Sequence, residues 1–376
     1  MHSGPRVVGI TLLAALAASQ AALVVLNPLL PDVARDLDVS IATAGQLRTV
    51  SGLAACVAAL ATGLIAARIG LRGLLLGALA TLAFGSLVSA AAPDLTALVV
   101  AQVLVGAGIG VSYSAAIAAT AEWSTPENRS RVLALTLLGP PLAWIIGMPL
   151  VGLLGEISWR LAWLVVPVWM AAVALVLLLR QRATPPARAR AGLRSVLTHP
   201  GVARWSVGEL FAFSGWAGAL VYMGALLVES YDLSIAATGL ALGFGALVYV
   251  PGNFLFRRWV DEHGRLLLVG LALSAAATVT VLGAFRPSVW VSVGLFALLC
   301  FIAGGRTLAG SARGLGLASE LRLGVTGVRT AAIQAGYFVG AALGGAALAV
   351  GGYGMLGLAF AALFVGAAIP HLLPLR

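Results

Sequence analysis

The sequence predicts an all-α membrane protein with twelve transmembrane helices, arranged as two pseudo-symmetric bundles of six. Three observations lead to this prediction. The 376 residues are 61% hydrophobic and only 10% charged, whereas soluble domains carry about 25% charged residues. The chain contains twelve apolar stretches, each near the roughly 20 residues that a helix needs to cross a bilayer. A short basic turn also recurs about half a chain apart, which indicates two related halves.

The predicted spans follow one another with short connections and leave no room for a soluble domain. Their expected positions are 7–30, 41–66, 73–92, 95–120, 131–155, 161–179, 205–228, 235–256, 265–284, 288–307, 325–350 and 353–373. The longest polar stretch lies between the sixth and seventh spans and is rich in arginine. We therefore predict an N-terminal six-helix bundle at 1–180, a basic cytoplasmic linker at 181–204 and a C-terminal six-helix bundle at 205–376.

Arginine placement predicts the orientation, because membrane proteins keep their basic loops on the cytoplasmic side. All 23 basic residues are arginines, and with the N-terminus inside 19 of them fall on the cytoplasmic side. Both termini are therefore expected in the cytoplasm, and the composition suggests a bacterial inner membrane. The arginines are scattered over six cytoplasmic segments rather than gathered on one face, so a lipid bilayer is expected as surroundings and a nucleic-acid partner is not.

The polar residues do not support enzyme chemistry. The four histidines lie at the N-terminus, in the linker, in a turn and near the C-terminus. The sequence contains no HExxH motif, phosphate-binding loop or Ser-His-Asp set. Cys56 and Cys300 lie deep in apolar segments, so neither a disulfide framework nor a thiolate metal site is expected. We predict a protein that is not an enzyme and uses no metal and no cofactor.

Two short basic turns occupy equivalent positions in the two halves, one after the second span and one after the eighth. Their residues are Gly63, Arg68, Gly70 and Arg72 in the first half, and Asp261, Gly264 and Arg265 in the second. Gly264 lies 194 residues after Gly70, close to half the chain. Weak internal symmetry of this kind is typical of transporters that hold their substrate between two halves at mid-membrane.

The first turn resembles the Gly-x-x-x-Asp-Arg-x-Gly-Arg-Arg motif of the major facilitator superfamily, with Ala67 in place of the acid and Leu71 in place of an arginine. The segments 30–37, 122–129, 139–160 and 334–344 are similar to the twelve-span drug:proton antiporter and sugar-efflux branch. The resemblance implies a monomeric secondary transporter with a small-molecule substrate and protons as the coupling ion. It also implies that the turn with Asp261 latches the cytoplasmic side, and that the first turn latches it more weakly.

Span 5 carries residues that indicate a moving contact between the halves. They are Pro140, Gly147, Pro149 and Gly152. Proline cannot donate a backbone hydrogen bond and tends to kink a helix, and glycine allows a neighbouring helix to approach closely. A kinked helix with a small-residue face suits halves that open and close; the alternative is a static packing kink.

Two charged residues are predicted well inside the spans, where charges are costly and rarely face lipid. Glu209 is expected about 10 Å to the cytoplasmic side of the middle of span 7, and Arg48 about 9 Å to the outer side of the middle of span 2. Glu209 is the candidate proton carrier, because a carboxyl group in a poorly hydrated cavity can exchange protons near neutral pH; the alternative is a structural, hydrogen-bonded glutamate. Arg48 is expected either to act within the span, where it supplies the missing positive charge or attracts an anionic substrate, or to snorkel outward to Asp32 or Asp36. Gln102 replaces the superfamily's intramembrane arginine and is the third coupling candidate.

Helical spacing places further polar and aromatic side chains on common faces of spans that line the central cavity in the superfamily. The candidates are Gln20 and Asn27 in span 1, Tyr113 in span 4, Trp144 and Met148 in span 5, Phe213 and Trp216 in span 7, Tyr249 and Asn253 in span 8, and Gln334 and Tyr337 in span 11. Aromatic rings with a few amides suit an amphipathic organic molecule better than a simple ion or a free sugar; the alternative for any single ring is packing.

The predicted function is export of a small amphipathic organic compound by alternating access, with proton antiport as the favoured energy source. One alternative is an uncoupled or importing facilitator. It is favoured by the absence of an acid in span 1 and of an arginine at Gln102. A second alternative, of a different class, is a transport-inactive membrane sensor or assembly partner.

Overall fold

The computed structural model describes residues 4–181, 198–317 and 322–372, and within these ranges the regular secondary structure is helical. The helices are Pro5–Val24, Leu26–Asp36, Ile41–Ala91, Leu95–Glu122, Arg129–Thr136, Gly139–Gly155, Trp159–Leu179, Pro200–Tyr231, Ile235–Leu255, Arg257–Ala284, Val289–Leu317 and Arg322–Leu372. Helices are the expected form, because an apolar chain in lipid must satisfy its backbone hydrogen bonds within itself.

In the described ranges, eleven helical segments are long and apolar enough to cross a membrane. The last of them, Gly327–Leu372, has 46 residues, which is about 69 Å of helix and more than twice the thickness of the hydrocarbon core. It folds back at Gly351–Gly352, where Gly352 has a φ of +59° that glycine adopts without strain. Gly340 and Phe360, on either side of this turn, both contact Gly218. The described residues therefore contain twelve segments long enough to cross a membrane, and the predicted fold class is confirmed.

The crossing segments are numbered as spans 1 to 12. Spans 1 to 10 are Pro5–Asp36, Ile41–Thr62, Ile65–Ala91, Leu95–Glu122, Arg129–Gly155, Trp159–Leu179, Gly201–Tyr231, Ile235–Leu255, Glu262–Ala284 and Val289–Gly314, and spans 11 and 12 are the two parts of Gly327–Leu372. We call the face that contains Gly4 and Leu372 the terminal face. The other, which contains the connections 37–40, 92–94, 156–158, 232–234 and 285–288, is the opposite face.

Four spans begin at the opposite face with a side chain that caps the helix. Ser40, Asp94, Ser158 and Ser234 each accept a hydrogen bond from a backbone amide two or three residues later, over 2.8–3.2 Å. Such caps satisfy amides that have no partner in the first helical turn, and each contributes about 1 kcal/mol. These short polar residues therefore fix where spans 2, 4, 6 and 8 begin.

The two halves repeat one another at these connections. Asp38 and Asp232 both adopt the left-handed conformation, with φ values of 51° and 50°. Each precedes a capping serine by two residues, and the separation is 194 residues both for the aspartates and for the serines Ser40 and Ser234. The spacing found in the basic turns therefore also holds at the opposite face of the molecule.

The basic turns repeat as well, through the arginines that follow their glycines. Arg72 donates from Nε and Nη2 to the carbonyls of Leu178 and Leu179, each at 3.1 Å. In the second half the guanidinium of Arg265 donates to the carbonyl of His371 and, over 2.6 Å, to that of Leu372. Donors and acceptors are each displaced by 193 residues. Each arginine caps the last span of its own half, where the carbonyls at a helix end lack partners.

The predicted linker falls mostly outside the described residues, since 182–197 are among those not described. Gln181, at its start, donates to the hydroxyl of Thr11 over 3.0 Å, and the helix after it begins at Pro200, five residues before the predicted start of span 7. The limits of the two bundles remain a prediction.

Spans 1 and 7 are the most deeply buried of the crossing segments. The outside of the molecule is strongly apolar and includes exposed side chains such as Phe84, Trp169, Phe244, Phe254 and Trp290. An apolar outer surface of this extent suits lipid rather than water.

Candidate functional site

Close contacts between the two halves lie toward the opposite face, where spans 5 and 8 meet through glycines. A Cβ atom on Gly152 would lie 2.7 Å from the carbonyl oxygen of Ile235 and 3.0 Å from the Cα of Gly239. A Cβ on Gly243 would meet Cγ of Pro149 at 2.7 Å. The amide of Ala236 also donates a hydrogen bond to the carboxylate of Glu156 over 2.8 Å. Two of the predicted gate residues, Pro149 and Gly152, are thus part of the contact between the halves.

Spans 1 and 7, and spans 2 and 11, make similar contacts. A Cβ on Gly224 would lie 2.0 Å from the carbonyl oxygen of Asn27, and one on Gly52 would lie 2.6 Å from the backbone nitrogen of Phe338. Further toward the terminal face, Sγ of Cys56 donates a hydrogen bond to the carbonyl of Ala331 over 3.9 Å. The close backbone contacts at Gly152, Gly224 and Gly243 join the halves toward the opposite face.

The other span 5 residues have different surroundings. The span is broken between Thr136 and Gly139, and Pro140 lies in the first turn after the break, where its missing amide costs no hydrogen bond. A Cβ on Gly147 would meet only Cγ2 of Val24, at 3.6 Å, which is an ordinary contact. Gly147 is therefore not needed for close approach in this conformation.

Aromatic side chains from both halves meet between the bundles. The ring of Tyr249 lies 5.8 Å edge-on from Trp144 of the first half and 6.0 Å in a stacked arrangement from Trp216 of its own half. The indole of Trp144 donates to Oε1 of Gln20 over 3.2 Å. These separations are those at which aromatic pairs attract one another.

Two further tyrosines complete this group. Tyr337 lies near Tyr113 and Tyr249. The side chain of Tyr337 is buried, whereas those of Tyr113 and Tyr249 are half-buried. We call Tyr113, Trp144, Trp216, Tyr249 and Tyr337 the aromatic cluster. All five were predicted cavity residues, and they come from spans 4, 5, 7, 8 and 11.

Arg48 lies at one end of this cluster, with its guanidinium 5.1 Å from the centre of the Tyr337 ring. Its side chain is 2% exposed, and Nη1 donates to the hydroxyl of Ser51 over 3.2 Å. It does not snorkel to the acids at the end of span 1, because Asp32 pairs with Arg35 and Asp36 pairs with Arg160. Of the two expectations for Arg48, the outward one is not what the structure shows.

Glu209 is fully buried and held by two arginines. Its carboxylate accepts from Nη1 of Arg306 over 2.8 Å and from Nε of Arg329 over 3.0 Å. The same arginines donate to the backbone carbonyls of Gly208 and Thr307. The expectation that only Arg48 and Glu209 are charged inside the spans is therefore wrong.

The two missed arginines lie close to predicted span ends, at 307 and 325, and were counted as cytoplasmic loop charges. Arg306 is 4% exposed within span 10, so it is inside the helix bundle. The signal that pointed to it was the buried acid itself, because a buried carboxylate needs a partner of opposite charge.

Arg329 links this ion cluster to the aromatic cluster. Its guanidinium lies 5.4 Å from the centre of the Phe213 ring and within electrostatic range of Tyr113 and Tyr249. Its side chain is 18% exposed against 5% for Arg306. Arg329 is therefore the partner of Glu209 that solvent, or a ligand between the halves, can reach.

The remaining predicted cavity residues lie in several settings. Gln102 donates to the hydroxyl of Ser89 over 3.1 Å and so connects spans 3 and 4 inside the first half. Asn253 donates to the carbonyl of Tyr249 over 3.3 Å at the terminal side of span 8. Three further candidates are buried, and they are Asn27, Met148 and Gln334.

The predicted gate residues of the two turns are also separated. Gly70, near the start of span 3, has a φ of +72° and interrupts the helix there, while Arg68 is exposed. Gly264 follows His263, where the helix departs from helical geometry. Two predicted gate residues, Gly63 and Asp261, lie outside the residues whose side-chain surroundings are described.

Comparison with known proteins gives a family match and relatives of similar length. A family model described as Major Facilitator Superfamily matches residues 12–305. The chain is 32% identical over 288 residues to the transcription regulatory protein OpdE of Pseudomonas aeruginosa, covering 72% of this chain and 70% of that protein. It is 25% identical over 269 residues to a probable sugar efflux transporter of Helicobacter pylori strain J99, covering 70% and 68%.

A solved structure with the same fold is the crystal structure of a bacterial homologue of the human lysosomal transporter Spinster, in an inward-facing and unoccupied conformation. The two structures superpose with a TM-score of 0.75 over 98% of this chain and 93% of the other, at 14% sequence identity. At this level of identity the likeness concerns the fold.

Proposed function

Because the chain belongs to the major facilitator superfamily, we propose that it exports a small amphipathic organic compound by alternating access, with the aromatic cluster as its substrate site. Family membership makes it a multi-pass membrane transporter with a small-molecule substrate, and not an enzyme. Beyond family membership, we propose the class of compound, the direction of transport and the coupling of transport to protons.

The observation that carries the proposal is that both halves of the protein contribute rings to the aromatic cluster. Trp144 comes from the first half, Trp216 from the second, and Tyr249 contacts both rings. A ligand between these rings touches both halves at once, so its binding energy depends on how the halves are arranged. Rings give an apolar surface, and Gln20, bound to Trp144, supplies a polar group for orientation.

Export is the direction that we propose. With the terminal face in the cytoplasm, as arginine placement predicts, the close packing of the halves toward the opposite face supports a site that loads from the cytoplasm, as an exporter does. The relative from Helicobacter pylori is named as a probable efflux transporter. We also propose that the protein is a monomer and that it lies in a bacterial inner membrane.

Proton exchange at Glu209 is the coupling step that we propose. Two guanidiniums occupy the carboxylate oxygens at 2.8 and 3.0 Å, so a proton gains access to an oxygen only after one arginine has moved away. Arg329 is the more exposed of the two and reaches toward the substrate site. We propose that it leaves Glu209 as the halves rearrange, and that Glu209 then takes up the proton which returns inward.

The proposal is tested with purified protein in liposomes that contain a pH-sensitive dye and a panel of aromatic anions, neutral compounds and cations. The variants are Tyr249→Ala and, as the matched control in the same span, Phe254→Ala, whose side chain is 71% exposed on the outer surface. Loss of the ring removes one aromatic contact with the proposed ligand, worth about 0.5–1.5 kcal/mol, and is expected to weaken transport about two- to tenfold. Phe254→Ala should transport like the wild type, and equal effects of the two substitutions would contradict the assignment of the site.

An uncoupled facilitator is the second candidate, and the double ion pair of Glu209 is what favours it. A carboxylate held by two arginines acts as a structural anchor unless Arg329 is released. Flux of a compound without any change in dye signal, in the wild type and in Glu209→Asp alike, would establish this candidate.

A transport-inactive regulator is a candidate of another class. It is favoured by the relative from Pseudomonas aeruginosa, which is named a transcription regulatory protein. Binding of a compound to the aromatic cluster, with no flux of any member of the panel, would establish it.

A further inference from the structure

We propose that the substrate is an organic anion whose carboxylate is bound by Arg48 and whose aromatic part lies in the aromatic cluster. The inference rests on the proposed substrate site and adds the charge of the compound and the residue that recognises it. Three features of the structure support it: the free edge of the Arg48 guanidinium, the charge balance of the interior, and the position of Arg48 beside the rings.

The guanidinium of Arg48 is buried and incompletely bonded. Nη1 donates to Ser51 over 3.2 Å, but Nε and Nη2 have no hydrogen-bond partner among the described residues. These two nitrogens form one edge of the guanidinium plane, and their N–H groups point the same way. That edge is the fork that binds both oxygens of a carboxylate in a bidentate pair. An arginine that is 2% exposed with this edge unused is prepared for an anion.

The charge balance of the interior also calls for an anion. Arg48, Arg306 and Arg329 carry three positive charges within the spans, and of the acids whose burial is described, Glu209 is the one that is buried. Glu209 is already engaged with two of these arginines. Burying a charge without a counter-charge is strongly unfavourable. An organic anion beside Arg48 removes part of this excess positive charge.

The acids at the end of span 1 do not pair with Arg48, because Asp32 pairs with Arg35 over 2.8 Å and Asp36 pairs with Arg160 over 2.6 Å. The ring of Tyr337 covers one face of the guanidinium at 5.1 Å and stabilises its charge without using its N–H groups.

The size of the anion follows from the surrounding residues. Arg48 contacts Tyr337, which lies eight residues beyond Arg329 on the same helix, and this corresponds to a rise of about 12 Å. Arg48 lies over the ring of Tyr337, and Arg329 lies over the ring of Phe213. We therefore propose a flat aromatic carboxylate of one or two rings, with the carboxylate at Arg48 and the rings toward Tyr249.

The test compares the binding of 2-naphthoate with that of its neutral analogue 2-naphthamide, by isothermal titration calorimetry on the full chain in nanodiscs. We expect the wild type to bind the carboxylate at least about tenfold more tightly, as befits a charge-assisted bidentate pair. Arg48→Gln should abolish this preference and leave the affinity for 2-naphthamide unchanged. Arg48→Lys keeps the charge but not the fork and should retain only part of the preference. Arg131→Gln, at an exposed position near the terminal-face end of span 5, is the control and should behave like the wild type.

Three results would overturn the inference. They are equal or tighter binding of 2-naphthamide by the wild type, an unchanged preference in Arg48→Gln, and no binding of either probe. Arg48→Gln replaces a buried charge by a neutral side chain, so it should fold, and its retained binding of 2-naphthamide verifies this. Transport of neutral compounds that depends on Tyr249, with no preference for the carboxylate, would leave the proposed function intact and refute the inference alone.

Discussion

Enlarging Gly152 by one methyl group should drive the two halves apart at the opposite face. In the structure a Cβ at this position would lie 2.7 Å from the carbonyl oxygen of Ile235 and 3.0 Å from the Cα of Gly239. Both are backbone atoms of span 8, and neither can rotate away as a side chain does. Gly152→Ala therefore acts as a wedge between spans 5 and 8.

The size of the effect follows from these distances. Carbon atoms attract best at about 3.5–4.0 Å, so the helices must separate by about 0.5–1 Å to accept the methyl group. Overpacking of this kind costs about 1–3 kcal/mol. The cost applies only in the conformation in which the opposite face is closed. The ratio of open to closed molecules at that face should therefore rise about 5- to 150-fold.

Distances between two spin labels, measured by double electron–electron resonance, report this ratio. One spin label is attached at Ala91→Cys and the other at Ala284→Cys, two exposed positions at the opposite-face ends of spans 3 and 9. Cys56 and Cys300 are replaced by serine beforehand. We expect the distance distribution of Gly152→Ala to move toward longer separations.

The matched control is Gly147→Ala in the same span, where the added methyl would lie 3.6 Å from Val24 and needs no displacement. It should leave the distance distribution as in the wild type. The reasoning is refuted if Gly152→Ala keeps the wild-type distribution while remaining folded, or if Gly147→Ala changes the distribution equally.

Three further outcomes are expected from the ion pairs and caps. Arg72→Ala and Arg265→Ala each remove hydrogen bonds to the end of the last span of their half, and each should lower the free energy of unfolding by about 1–3 kcal/mol in detergent; no change in either would contradict the symmetric capping. Glu209→Gln leaves two buried guanidiniums without a carboxylate and should cost about 3–5 kcal/mol. The double variant with Arg306→Gln should recover part of that loss in the same thermal or chemical unfolding measurement, whereas additive losses would refute the pairing.

The number and position of the spans could be predicted because bilayer thickness sets the length of every crossing helix. The turn at Gly70 and the recurrence about half a chain later were also visible in the sequence. Their structural meaning was not, because the bonds from Arg72 to Leu178 and Leu179 join residues 106 and 107 positions apart. No local pattern specifies such partners.

The site was predicted in part. Helical spacing groups residues within one span, such as Phe213 and Trp216, but it does not say which face of one helix meets which face of another. Gln102 illustrates this, since its amide bonds Ser89 within the first half. Arg306 and Arg329 were missed because the rule that places basic residues in cytoplasmic loops is statistical, and it counts an arginine near a span end as a loop charge.

Counterflow in proteoliposomes tests the central claim most directly, namely that a compound bound in the aromatic cluster is carried across the bilayer by alternating access. Vesicles loaded with unlabelled 2-naphthoate are diluted into a trace of the labelled compound, and the label inside is followed over time. The wild type is expected to accumulate label transiently above equilibrium, Phe254→Ala to do the same, and Tyr249→Ala to lose the overshoot. Label that never exceeds equilibrium in the wild type, for 2-naphthoate and for neutral and cationic aromatic compounds alike, would contradict the account and favour a transport-inactive membrane regulator.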